Sequence, residues 1–176
     1  MTVLVGYATE HGSTRGIAGR IAALLRRSGI AAELRALKAV DSVDRFDALV
    51  LGSAVHNQKW LPEALEFVAR QRGRFGQRPV WLFSVGMPAA LPRAFRSMAE
   101  SEGPKIIAPF QAAMNLRQHQ LFSGAIRPDH LSRWGRLFFR ACGCRYGDYR
   151  NWARIEAWAA EIAADCAAAG GAQRSA

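Results

Sequence analysis

Five short strand-like runs, separated by stretches with helical periodicity, constrain this chain more than any other feature. Residues 2–7 (Thr2-Val3-Leu4-Val5-Gly6-Tyr7), 48–52 (Ala48-Leu49-Val50-Leu51-Gly52) and 80–85 (Val80 to Val85) are apolar almost throughout. Strands covered on both faces read this way. The run Ala31 to Leu37 alternates, with Leu34 among charged neighbours, and reads as a strand nearer an edge; Gln120 to Ala125 completes the set. Between the runs, a helix is predicted from about Thr14 to Ser28, with Ile17, Ile21, Leu24 and Leu25 as its apolar stripe and Gly29 placed to end it. A second helix opens at Pro62, with Leu61, Leu65 and Val68 as its stripe. Residues 91 to about 116 hold interrupted helix, broken near Pro104 and Pro109. The last helix is predicted from about Tyr149 to Ala168, with Trp152, Ile155, Ala159, Ile162 and Cys166 on one face and a frayed tail over 169–176. This alternation predicts one α/β domain over 1–168, built on a doubly wound five-stranded parallel sheet. Right-handed crossovers leave few topologies. In strand order 2-1-3-4-5, the loops after the first, third and fourth strands meet at the carboxyl edge of the sheet, where ligands bind.

Those three loops carry the candidate site. The first, Thr9-Glu10-His11-Gly12-Ser13-Thr14, lies between a strand and a helix. Backbone N–H groups and the positive end of the helix dipole converge there, which suits an anion. Gly12 permits backbone shapes closed to other residues, and Thr9, Ser13 and Thr14 offer hydroxyl donors. The loop lacks the Gly-Lys-Ser/Thr end of a P-loop and the Gly-x-Gly-x-x-Gly of a dinucleotide site. Without a lysine it suits a monophosphate held by amides and hydroxyls. A plain N-capped helix, with Ser13 or Thr14 as cap, accounts for the same residues. The other two loops are Ser53-Ala54-Val55-His56-Asn57-Gln58-Lys59-Trp60 and Gly86-Met87-Pro88.

Composition narrows the setting. Half of the 176 residues are hydrophobic, which excludes a disordered chain. The net charge of +10 attracts polyanions or acidic substrates. No run of five like charges and no recognition module points to nucleic acid, so none is expected. Met1 leads straight into the first strand and no stretch is long enough to span a membrane, so a cytoplasmic protein with at most peripheral membrane contact is expected. Cys142, Cys144 and Cys166 lack disulfide or zinc spacing, and His11, His56, His119 and His130 are scattered; no metal is expected.

The loop Thr9 to Thr14 resembles the FMN phosphate loop of the flavodoxin superfamily, a Thr/Ser-x-Thr-Gly-x-Thr pattern in which His11 replaces the usual third-position hydroxyl residue. Within that superfamily the chain is similar to the flavodoxin-like, menaquinone-dependent protoporphyrinogen oxidases. Three features carry the likeness: the opening through Arg15, the stretch Gly52-Ser53-Ala54-Val55 running on to Glu66-Phe67-Val68, and Gly147-Asp148-Tyr149-Arg150-Asn151-Trp152 after an inserted segment at about 126–147. The resemblance covers essentially the whole chain. It implies FMN as cofactor, with Thr9, Glu10, His11, Gly12, Ser13 and Thr14 around the phosphate. It also implies that Ser53, Ala54, Val55, His56, Asn57, Trp60, Gly86 and Met87 flank the isoalloxazine. Trp60 is then the natural stacking ring, and His56 a charge that stabilises reduced flavin. Asn57 is not aromatic, a departure from many flavin-stacking loops.

The insert separates this chain from a plain carrier. From Asp129 to Cys142, Leu131, Trp134, Phe138 and Ala141 recur at helical spacing, with Arg133, Arg136 and Arg140 on the opposite side. Such a helix either lies in a membrane interface or packs its apolar face on the domain. Both arrangements put arginines near the mouth of the site, where they can meet carboxylates of a porphyrinogen-like substrate. The expected function is that of an FMN-dependent oxidoreductase linked to a quinone or another acceptor. Two alternatives stand beside it: a flavodoxin-like electron carrier, and a cofactor-free binding module of the same fold.

Overall fold

The computed structural model describes residues 1–87, 103–130 and 132–172, with backbone only at 103, 104, 109, 138 and 170–172. The elements are β1 (Thr2–Ala8), α1 (Ser13–Arg27), β2 (Ala31–Ala36), β3 (Ala48–His56), β4 (Lys59–Trp60), α2 (Pro62–Arg70), β5 (Pro79–Gly86), α3 (Gly103–Gln111), β6 (Asn115–Ser123), β7 (Ala125–Ile126), α4 (Arg133–Ala141), β8 (Gly147–Asp148) and α5 (Trp152–Ala172). The main sheet runs β2-β1-β3-β5-β6, all parallel, with β4 antiparallel on β3. This is the expected order, since β5 and β6 are the fourth and fifth runs of the sequence reading.

Alternation along each strand divides the core between the two faces of the sheet. Val3 and Val5 point toward α1 and α5, meeting Ile17, Ile21, Leu25, Ile155, Trp158 and Ile162. Leu4, Leu49, Leu51 and Leu82 face the other layer, with Phe67 of α2 and Ile106, Ile107 and Phe110 of α3. Helix α1 ends as its sequence demands. Gly29 takes φ 80° and donates to Arg26 O, while the Ile30 amide reaches Leu25 O at 3.0 Å, the bonding of a Schellman cap. Helix α5 starts at Trp152, later than the expected Tyr149, because the Asn151 carboxamide accepts from the Arg154 amide at 3.0 Å and sets the N-cap. It also continues past the expected end, to Ala172.

Three expectations need correction. Residues 53–60 are not an open loop. Strand β3 continues to His56, and Asn57 (φ 49°) and Gln58 (φ 61°) form a two-residue hairpin turn into β4. The fifth run begins at Asn115, and its polar start is a satisfied edge strand: Asn115 donates to Gln77 O, Gln118 binds Trp158 and Glu161, and Arg154 donates to Gln120. The insert is a small unit of its own, in which β7 pairs antiparallel with β8 and α4 packs on the pair through Phe139 against Ile126 and Tyr146. Of the interrupted helix expected over 91–116, residues 91–102 lie outside the described residues, as does Leu131.

Candidate functional site

The carboxyl ends of β1, β3 and β5 and the start of the insert line one cleft. Of the residues expected from sequence, Thr9, Glu10, His11, Ser13, Thr14, Ala54, Val55, His56, Gly86 and Met87 line it. Gly12 lies at the turn into α1, where its φ of 86° is a left-handed geometry that favours glycine. Ser53 is fully buried and structural; its hydroxyl donates to Ala54 O and accepts from the Leu61 amide. Asn57 serves the hairpin turn. Pro88 lies outside the described residues.

Trp60 does not reach the cleft. It is 2% exposed and turned into the core, where its indole N–H donates to Ser84 Oγ at 2.8 Å and its ring packs 4.9 Å from Phe110. The hairpin causes this: Val55 and Trp60 are cross-strand partners, so extending β3 fixes which way Trp60 points. It is therefore not placed as the stacking ring.

The hydroxyls of the first loop have distinct roles. Thr9 Oγ1 accepts from the Gly12 amide at 3.0 Å and shapes the loop, leaving its own O–H to donate. Ser13 Oγ is engaged twice by the insert: it accepts from the Ala125 amide at 3.0 Å and donates to Ala125 O at 3.3 Å. Thr14 Oγ1 is different. The residue is 1% exposed, lines the cleft, and its hydroxyl has no hydrogen-bond partner among the described residues. A buried hydroxyl left unpaired is costly, about 1–3 kcal/mol, and an anion at the N-terminus of α1 would satisfy it.

Two contacts cross the mouth. Glu10 Oε2 meets His56 Nε2 at 2.9 Å, and Glu10 Oε1 lies 3.9 Å from His11. The His11 ring stacks on His130 of the insert, with centroids 4.1 Å apart and planes 7° from parallel. His130 Nδ1 also accepts from the Arg127 amide at 3.3 Å. Burial in the stack, then the neighbouring His11, hold the His130 imidazole below its ordinary range. Sequence reasoning missed the Val85, Gly124, Ala125, Ile126 and His130 part of the lining. No motif marks it; β7 and the insert's first turn come to the phosphate loop only through tertiary folding.

A protein-family model for the flavodoxin domain matches residues 4–144, most of the chain and all three loops. The chain belongs to the flavodoxin domain family. Membership brings FMN as the cofactor, and the residues present fit it: an unpartnered buried Thr14 hydroxyl, the Thr9 O–H and the first-turn amides of α1 could hold a phosphate, and the 54–56 and 86–87 segments line the rest of the same cleft. Among curated proteins, this flavodoxin-domain chain is similar to protoporphyrinogen IX dehydrogenase (quinone) of Escherichia coli K12, 22% identical over 174 residues that span 93% of this chain and 95% of that one. Among solved structures it resembles the Streptococcus pneumoniae TIGR4 flavodoxin, with TM-score 0.60 at 14% identity over 94% of this chain and 99% of that one. It also resembles the rubredoxin oxygen:oxidoreductase of Desulfovibrio gigas, with TM-score 0.64 at 17% identity over 95% of this chain. There the match spans only 36% of the other protein.

Proposed function

We propose that this protein is an FMN-dependent dehydrogenase that oxidises a porphyrinogen-like, carboxylate-bearing substrate and passes the electrons to a quinone. One observation carries the reading: the similarity to protoporphyrinogen IX dehydrogenase spans 93% of this chain and 95% of that one, not the sheet alone. FMN, when bound, supplies the chemistry by accepting a hydride and returning electrons to the acceptor. The chain's own residues bind and orient. Thr9, Thr14 and the first-turn amides of α1 take the phosphate, and Gly86 and Met87 border the ring site opposite Ala54 and Val55. Arg127, whose amide donates to His130 of the lining, and Arg133, Arg140 and Arg145 further along the insert add positive charge suited to propionate groups.

A quinone acceptor resides in a lipid bilayer, and the insert suits that surface. Trp134 is 81% and Leu137 62% exposed on α4, beside Arg133 and Arg140. Packing is done by Phe139, not by the Trp134 side of the helix, so the apolar stripe named from sequence stays open at Trp134; the Phe138 side chain lies outside the described residues. Among those residues no helix is long and apolar enough to cross a membrane, so the contact is peripheral. Flotation with anionic phospholipid vesicles checks it: binding falls at least fivefold in Trp134→Ser/Leu137→Ser if the contact is real.

The activity test is anaerobic mixing of FMN-loaded protein with protoporphyrinogen IX, followed by a soluble quinone. Bleaching of the flavin with porphyrin fluorescence, then recovery on quinone addition, is the expected result. A flavin that dithionite reduces but porphyrinogen does not would favour the electron-carrier reading, to which the flavodoxin fold neighbours also point.

A further inference from the structure

The cleft holds a pair of ionisable groups whose contact with each other the phosphate loop does not require. His56, at the end of β3, and Glu10, in the first loop, both line the cleft and meet at 2.9 Å through His56 Nε2 and Glu10 Oε2. Their side chains are 54% and 48% exposed. An ion pair this open contributes only about 0–1 kcal/mol to stability. What it does fix is the imidazole. A carboxylate on Nε2 holds the proton there and leaves the Nδ1 lone pair free.

We propose that His56 is the proton acceptor of substrate oxidation and Glu10 the residue that positions it. This rests on the dehydrogenase reading above. Oxidising a reduced tetrapyrrole removes a C–H hydrogen and an N–H hydrogen. The first leaves as hydride, with both bonding electrons, to the bound flavin. The second leaves as a proton to His56 Nδ1, while its N–H bonding pair stays on nitrogen and a C=N bond closes. A quinone then takes up the two electrons and two protons, one of them from His56, and becomes quinol. The protonated imidazole is stabilised at once by Glu10. Facing the pair are His11, 3.9 Å from the other Glu10 oxygen, His130 stacked on His11, and Lys59 opposite His56 across the hairpin. Glu10 is the only carboxylate among the described residues that line this cleft.

The test compares wild type, His56→Gln and Glu10→Gln, each loaded with FMN, by rapid anaerobic reduction with protoporphyrinogen at one neutral pH. His56→Gln slows flavin reduction about 100-fold or more and is partly rescued by added imidazole. Glu10→Gln slows it about tenfold. FMN dissociation constants are measured for all three, and the rates are compared at saturating FMN so that any change in cofactor affinity is separated from the chemical step. Independently of turnover, 15N NMR of the rings shows His56 as the Nε2–H tautomer in wild type, and loses that preference in Glu10→Gln. A His56→Gln protein that is reduced as fast as wild type, or a His56 held as the Nδ1–H tautomer, overturns the assignment of His56. A wild-type holoprotein that porphyrinogen never reduces overturns the dehydrogenase reading, and the proposal with it.

Discussion

Thr14 and Ser13 are neighbours with opposite roles. Thr14 leaves a hydroxyl unpaired in a buried position, a cost that a bound phosphate would remove. Thr14→Val is therefore expected to leave the ligand-free protein as stable or to raise its stability by about 1 kcal/mol, read by thermal melting without FMN. A structural hydroxyl would give the opposite sign. Ser13 is bound on both sides to Ala125, so Ser13→Ala is expected to cost about 1–2 kcal/mol and to speed amide exchange over 125–148, where the insert loses its tie to α1. From sequence the two hydroxyls are indistinguishable, because only the fold decides which one meets the insert.

At the scale of elements, close packing explains why β3 carries glycine beside the site. A Cβ on Gly52 would lie 2.0 Å from the Phe83 ring on β5, so Gly52→Ala overpacks the sheet and should destabilise by about 1–3 kcal/mol in chemical denaturation. Along the neighbouring edge, Trp60 N–H, Ser84 O–H and His119 form a chain of hydrogen bonds, with Ser84 Oγ 2.9 Å from His119 Nε2. Burial pushes the His119 imidazole down to about 4. The unfolded chain binds this proton more readily, so the stabilisation is present above the ordinary imidazole range near 6.5 and is lost as pH falls from there toward 4. After allowance for partial exposure the loss is on the order of 2 kcal/mol, and His119→Gln should flatten that part of the stability-versus-pH curve. Element types followed from periodicity. The hairpin at 57–58 did not, because Asn57-Gln58 lacks the glycine that marks most tight hairpin turns. The start of β6 did not either, because edge strands tolerate polar side chains that find partners in a neighbouring helix.

Over the whole molecule, the alternation of apolar runs was enough to specify the sheet order, and the order specified which loops converge. That is why ten of the fourteen site residues named from sequence do line the cleft. The remainder of the lining comes from the insert, through the His11–His130 stack and the Ser13–Ala125 bonds, and long-range contacts of that kind leave no local signature. Arg20, Arg35, Arg45, Arg74 and Arg150 pair with carboxylates, pairs already cancelled in the net charge of +10, so the excess positive charge is carried by other basic residues. The central claim is that this cleft is an FMN site built on the α1 N-terminus. An absorbance and fluorescence titration of purified protein with FMN, run beside Thr14→Val, tests it most directly. One FMN per chain is expected, competed by inorganic phosphate and weakened about tenfold in the variant, the loss of one charge-assisted hydrogen bond. Protein that leaves FMN fluorescence unchanged, or that binds it equally well without the Thr14 hydroxyl, would contradict it.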